Sequence, residues 1–183
     1  MALHDLKFSA ADTVRATGVS MDTLQNWMKR GIVIGADRKV EGGGSQGKHR
    51  LFSFHAVMQI ATARALMEAG MESAPKKAAE AAAHFAHVSG GGAATWDGEH
   101  SETPERFPGV PFHHRHGHTI FVVGKHAATL VAGANGPTYS QMKHEAVSDS
   151  FVVIDASMVF YQVCANLDLD PLRELDKIYP NEA

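Results

Sequence analysis

Along the first third of the chain, apolar residues recur at the spacing of short helices and are separated by small and polar residues. Leu24, Trp27 and Met28 fall at positions i, i+3 and i+4 and so form one apolar face. This pattern predicts a helix over 21–29, and a shorter helix is predicted just before it, over about 9–17. Because only a few small residues separate the two helices, we expect a tight turn between them.

The pattern after the second helix becomes extended and then returns to helical spacing. Residues 32–34 and 50–52 are short runs that predict two strands, and the glycine-rich tract 41–49 between them is expected to form a loop. Ser53 is a favoured N-cap for a third helix over 54–69. The order helix, turn, helix, hairpin, helix is that of a helix-turn-helix followed by a wing.

The second half of the chain predicts a small α+β module, made of a helix, a β-hairpin, a strand and a final helix. Alanine-rich sequence favours the first of these helices, and two strongly apolar runs form the hairpin. The predicted ranges are 74–88, 118–124, 128–133, 151–154 and 156–167. We therefore expect an α+β protein with two domains, which cover residues 1–72 and 73–183.

Charge is distributed unevenly along the chain. Residues 1–70 contain nine Lys and Arg against six Asp and Glu, whereas residues 71–183 contain eight against fourteen, within a net charge of −3. A basic first part and an acidic second part suit a module that binds an acidic partner, joined to a separate module. The hydrophobic content of 44% is enough for a packed core, which argues against wholesale disorder.

Cysteine content and hydropathy favour a soluble intracellular protein. Cys164 is the single cysteine, so the chain has no disulfide framework and no paired-cysteine metal site. Its helical surroundings predict a buried thiol without a redox role. No stretch of about 18 apolar residues is present and no leading apolar run resembles a signal peptide, so we expect a cytoplasmic location and no membrane partner.

The first 70 residues carry a series of motifs in a specific order and spacing. The series is TGVS at 17–20, TL at 23–24, Trp27, a basic pair at 29–30, Gly-Ile-Val at 31–33 and Arg-Leu-Phe-Ser at 50–53. In this order it resembles the winged helix-turn-helix of MerR-type regulators. The resemblance implies that the second helix enters the major groove of DNA and that the wing contacts the DNA backbone.

Amide, hydroxyl and cationic side chains are the groups with which a helix and a wing contact DNA. Gln25 and Asn26 stand where the family usually has an arginine followed by an aromatic residue, and their amides can pair with adenine. Trp27 lies on the apolar face, so we expect it in the core and not on the DNA. The predicted DNA-binding residues are Thr23, Gln25, Asn26, Lys29, Arg30, Lys48, His49 and Arg50.

Four histidines occur close together in the second half, in the sequence PFHHRHGH. On a strand, His114, His116 and His118 would share one face at a spacing of about 7 Å, and three imidazoles on one face can bind zinc, copper or nickel. The alternative is a solvated, weakly basic loop that discourages edge pairing. These three histidines are the candidate metal ligands, and a transition metal is the one cofactor that the sequence suggests.

A homodimer is expected because one short helix and wing contact few base pairs. The 73–183 module would dimerise, bind a small-molecule effector, or both. Its candidate dimer contact is an apolar stripe at helical spacing, formed by Val159, Phe160, Val163 and Leu167. The alternative is that this stripe closes the module's own core.

These features together favour a sequence-specific transcriptional regulator of MerR-like type that binds double-stranded DNA as a homodimer. A phage-type DNA packaging or excision factor is an alternative within DNA binding. A ligand- or metal-binding sensor module is the alternative from another class. No catalytic constellation follows from the residue spacing, so an enzyme is not expected.

Overall fold

A computed structural model describes residues 3–32, 50–90, 105–133 and 137–181. Within these ranges it contains seven α-helices and two small antiparallel sheets, so the α+β class is confirmed. No helix of these ranges has both the length and the apolar character that crossing a membrane requires. The strands are β1 (Lys7–Ser9), β2 (Leu51–Ser53), β3 (His118–Gly124), β4 (Ala128–Gly133) and β5 (Phe151–Asp155). The helices are α1 (Ala10–Thr17), α2 (Met21–Lys29), α3 (Phe54–Leu66), α4 (Pro75–His87), α5 (Tyr139–Ala146), α6 (Ala156–Asn166) and α7 (Pro171–Ile178).

Local side-chain and backbone signals fix the bounds of α1. The Ser9 hydroxyl accepts a hydrogen bond from the Asp12 amide, and the Asp12 carboxylate accepts one from the Ser9 amide, which makes a capping box. Gly18 ends α1 with φ at 69°, in the left-handed region that favours glycine. The Arg64 guanidinium lies against this glycine and donates to the Thr17 carbonyl at 2.7 Å. The predicted helices before and after the turn are confirmed.

The strand β2 pairs with β1, a strand that the sequence analysis does not assign. The pairing is antiparallel, with Phe8 opposite Phe52, and both phenylalanines are buried. Ile32 lies outside any strand. Residues 33–49 lie outside the described residues, and they include the rest of the first predicted wing strand and the glycine-rich tract.

The core is built around α3, whose side chains are buried along nearly its whole length. Helices α1, α4 and α6 all pack against it, and Phe54 meets Phe160 of α6 edge-on with ring centroids 6.0 Å apart. One continuous apolar core therefore holds side chains from both sides of residue 72, and the domain boundary there stays a prediction. Phe160 and Val163 of the apolar stripe on α6 are buried in this core. They therefore contribute to the chain's own core, which was the alternative to a dimer contact.

The predicted helix over 54–69 ends earlier than expected. The α-helical part stops at Leu66, and a π-helical turn, Met67–Met71, continues from it. Gly70 breaks this turn because its φ is 124°, a conformation that a residue with a side chain rarely adopts.

The second sheet has the strand order β4-β3-β5, and both pairings are antiparallel. Phe121 and Val123 of the central strand β3 face the main core, whereas Val122 faces the opposite side. There it packs with Val131 and with Ala146 of α5. The predicted hairpin and the following strand and helix are confirmed.

Helices α5 and α7 are absent from the sequence prediction, although both carry start signals. Thr138 and Gln141 form a capping box at α5. Asp170 accepts hydrogen bonds from the Leu172 and Arg173 amides at α7, and Pro171 occupies the first turn. Both helices are eight residues long, and the caps that start them are local signals that the sequence prediction did not use.

Arg106 carries a positive charge into the interior, with only 1% of its surface exposed. Its guanidinium donates hydrogen bonds to the carbonyl oxygens of Phe85 and Val88 at the end of α4, and to those of Phe107 and Val110 in the segment before β3. Burial lowers the pKa of Arg106 to about 10, so the side chain stays protonated at neutral pH. The residue therefore links the end of α4 to the segment that leads into β3.

Arg106→Met should lower the free energy of unfolding by about 3 kcal/mol, because methionine keeps apolar contacts but leaves these carbonyls without donors. Equilibrium unfolding in urea measures the change. Arg173→Met is the matched control, since Arg173 is exposed on α7 and its replacement should cost less than about 0.5 kcal/mol. Equal stability of the two variants would contradict this role of Arg106.

Candidate functional site

Helix α2 has one face in the core and one in solvent. Leu24 is buried with 1% of its surface exposed, and Trp27 and Met28 are partly buried against the main core, as the sequence predicts. The opposite face is exposed and combines a carboxylate in the first turn with amide and cationic groups after it. Its residues are Asp22, Gln25, Asn26, Lys29 and Arg30.

The start of α2 is fixed by a side-chain cap after the three-residue connection from α1. The Ser20 hydroxyl accepts a hydrogen bond from the Thr23 amide at 3.0 Å, and the two hydroxyl oxygens lie 2.8 Å apart. Thr23 is partly buried, so its hydroxyl belongs first to the helix cap. It lies at the edge of the polar face, and its predicted DNA contact stays a prediction.

The end of α2 places two cations where the helix dipole is negative. The Arg30 amide donates to the Asn26 carbonyl, and the Ile32 amide donates back to the Trp27 carbonyl at 2.9 Å. Gly31 has φ at 64°, which allows the chain to turn away from the helix. The charges of Lys29 and Arg30 therefore lie in the last turn, where cations are stabilised.

Arg50 brings a third cation to this end of α2. It is partly buried, and its Nη1 donates to Met28 Sδ at 3.3 Å. Its Nε is buried and makes no hydrogen bond within the part of the chain that the structure describes. The two other predicted wing contacts, Lys48 and His49, lie outside the described residues.

The polar face of α2 and the neighbouring Arg50 form the candidate nucleic-acid interface. Its amides can exchange paired hydrogen bonds with a base edge, and its cations can reach phosphate oxygens. These groups are suited to recognition by hydrogen bonds and charge. Within the described residues, the structure brings together Thr23, Gln25, Asn26, Lys29, Arg30 and Arg50.

The prediction that His114, His116 and His118 lie along one strand is wrong. His114 and His116 lie in a 3₁₀ turn, and β3 begins only at His118. The turn forms because His113 Nδ1 accepts a hydrogen bond from the backbone amide two residues on, and because Gly117 adopts φ of 84°. The three imidazoles therefore do not follow one face of a strand.

The structure joins the histidines to carboxylates instead. His118 Nδ1 lies 2.5 Å from Asp155 Oδ2, at the start of α6. His113 Nε2 lies 3.0 Å from Asp176 Oδ1 on α7, and His114 Nδ1 lies 3.8 Å from the same oxygen. His113 and Asp176 are not among the predicted ligands, because 63 residues separate them and no local spacing signals the pair.

Cys164 is buried on α6, as predicted. Burial, together with the negative charges of Glu174 and Asp170, raises the pKa of its thiol to about 12. The thiol therefore stays protonated at neutral pH, which makes it a poor nucleophile and a poor metal ligand.

The chain matches no protein-family model and no curated protein. The interpretation as a MerR-like protein therefore rests on the motifs of the first 70 residues and on the arrangement of α1, α2, β2 and α3.

Proposed function

We propose that this protein is a sequence-specific, MerR-like transcriptional regulator that binds double-stranded DNA through α2. The observation that carries the proposal is the exposed amide and cationic face of a helix that is capped at its start and packed on the core behind. In this proposal α1 and α2 act as a helix-turn-helix, and the segment that ends at Arg50 acts as the wing. The activity is binding in the cytoplasm, without a catalytic step.

The length and chemistry of α2 suit the major groove. An α-helix is about 10–12 Å across with its side chains, which fits a groove about 12 Å wide, and the nine residues of α2 extend about 13.5 Å along it. Gln25 and Asn26 occupy the middle of the exposed face, where amides can make paired hydrogen bonds to adenine. Lys29 and Arg30 follow one turn later, at the height of the phosphates that border the groove.

Arg50 supports the same orientation from the other side of α2. Its guanidinium lies beside Met28 near the end of α2, and in this proposal it contacts the DNA backbone next to the groove. The net positive charge of residues 1–70 and the net negative charge of the remainder would orient the molecule with α2 toward DNA.

Binding as a homodimer follows from the small size of this interface. One helix reads only a few base pairs, and a two-fold dimer places two such helices about 34 Å apart, which is one turn of DNA. The dimer surface is not the α6 stripe, whose Phe160 and Val163 are buried within the chain. We assign dimerisation and binding of a small-molecule effector to the surface of residues 73–183.

Lys29→Ala should weaken binding to every DNA sequence and reduce the slope of log K against log salt concentration by about 1, because one phosphate contact is lost. Fluorescence anisotropy on a selected duplex and on random DNA, over a series of salt concentrations, measures both effects. Lys125→Ala is the matched control, since Lys125 is an exposed lysine in the turn between β3 and β4. An unchanged salt slope for Lys29→Ala would contradict the phosphate contact.

Gln25→Ala should cost about 1–3 kcal/mol on the best selected duplex and little on random DNA, because it removes base recognition but no charge. Gln162→Ala, on the exposed side of α6, should leave both affinities unchanged. Equal losses on the two DNAs would assign Gln25 to the backbone. No loss on either DNA would place it outside the interface.

The complex of the full chain with its selected duplex should contain two chains, because two half-sites are needed for specific binding. Sedimentation velocity gives the mass of the complex, and the selected sequence itself should be palindromic. A complex of one chain on a single half-site would overturn the homodimer while leaving the DNA contacts of α2 in place.

A further inference from the structure

Two histidines and an aspartate converge where the segment before β3 meets α7. His113, His114 and Asp176 each direct one ligand-type atom to the same point, and these atoms lie within 4.8 Å of one another. The shared centre is Asp176 Oδ1, which lies 3.0 Å from His113 Nε2 and 3.8 Å from His114 Nδ1. One small ion would contact all three side chains once the two imidazoles move slightly closer together.

The burial of these groups distinguishes the cluster from a solvated histidine loop. His113 is buried with 1% of its surface exposed, and its ring packs at 4.1 Å from the His114 ring. His114 Nδ1 is a buried atom that makes no hydrogen bond among the described residues. Leaving such an atom without a partner costs free energy, and a bound cation would remove that cost.

Two of the three distances are close to those of a zinc site. With metal–ligand bonds of about 2.0–2.1 Å in a tetrahedron, ligand atoms lie about 3.3 Å apart. The two separations from Asp176 Oδ1, 3.0 and 3.8 Å, lie on either side of that value, whereas the two imidazole nitrogens, up to 4.8 Å apart, would move closer together around an ion. Two imidazoles with one carboxylate favour zinc and its neighbours over magnesium or calcium, which prefer oxygen ligands.

We propose that His113 Nε2, His114 Nδ1 and Asp176 Oδ1 bind a divalent transition-metal ion of the zinc type. The ion leaves a fourth position for water, because three protein ligands fill only part of a tetrahedron. This site differs from the histidine set that the sequence suggests, since it excludes His116 and His118 and adds Asp176. It does not depend on DNA binding.

Zinc takes the place of the proton on His113 Nε2, and its binding breaks one weak hydrogen bond. His113 Nδ1 accepts from the Arg115 amide at 3.3 Å, so in the neutral ring Nε2 carries the proton and donates to Asp176. Zinc at Nε2 moves that ring proton to Nδ1, and the bond from Arg115 is given up. A coordinate bond and the neutralised Asp176 charge more than offset this loss.

The ion would tie two segments that are far apart in sequence. Tyr179 already donates to the Pro111 carbonyl at 2.9 Å and links the end of α7 to the same segment. A metal between the 3₁₀ turn and α7 adds a second link beside it. Zinc should therefore raise the melting temperature of the protein, because it binds only the folded arrangement.

Titration of the tag-free full chain with zinc chloride, followed by calorimetry, tests the site. One zinc per chain is expected, and His114→Ala and Asp176→Asn should each weaken its binding by at least about tenfold. Asp176→Asn keeps an acceptor for His113 Nε2, so the fold should survive while the anionic ligand is lost. Cobalt(II) in place of zinc should give an intense visible absorption band, which reports tetrahedral coordination, in the parent protein and not in His114→Ala or Asp176→Asn.

His118→Ala and His126→Ala are the matched controls, and both should bind zinc as the parent does. His126 is exposed in the turn after β3, and His118 is bound to Asp155. The proposal fails if the parent binds no zinc, or if His114→Ala and Asp176→Asn bind it unchanged. Loss of zinc in His118→Ala alone would assign the metal to the histidine set read from the sequence and also overturn the proposal.

Discussion

Helix α3 has almost no solvent-facing side, because ten of its thirteen residues are buried. A helix without a polar face does not stand alone, and it forms only when other elements cover it. α1 covers it from the first part of the chain, and α4 and α6 cover it from the second. Its buried Gln59 is satisfied by His87 of α4, with 3.1 Å between Oε1 and Nε2. The positions of α1, α4 and α6 therefore depend on their packing against α3.

The polar face of α2 owes its orientation to the same core. Leu24 is buried and packs α2 onto the core. Helix α1 in turn contacts α6, where Asn166 Nδ2 donates a hydrogen bond to the Ala16 carbonyl at 3.2 Å. The ion pair of Arg15 with Asp168 joins the same two regions, but both side chains are largely exposed and the pair contributes little. The packing of α1 against α3 and α6, and not surface charge, therefore carries any influence of the second half of the chain on α2.

The irregular segment before β3 is held by polar side chains because it has almost no backbone ladder of its own. One backbone bridge, between Gly90 and Arg106, marks its start. The Arg106 guanidinium and the Tyr179 hydroxyl supply further hydrogen bonds, and His113 is fixed against α7. Buried polar groups of this kind define one conformation because each would be costly without its partner. The same rigidity brings His114 and Asp176 close together.

The sequence by itself determined the elements that depend on near neighbours. The Ser20 cap and the spacing of Leu24, Trp27 and Met28 are local features, and they were enough to place α2 and its exposed face. Only the tertiary structure decided the pairing of β1 with β2, the burial of Arg106 and the meeting of His113 with Asp176. These contacts join residues that are far apart in sequence and that no periodicity relates, so only the three-dimensional packing brings them together.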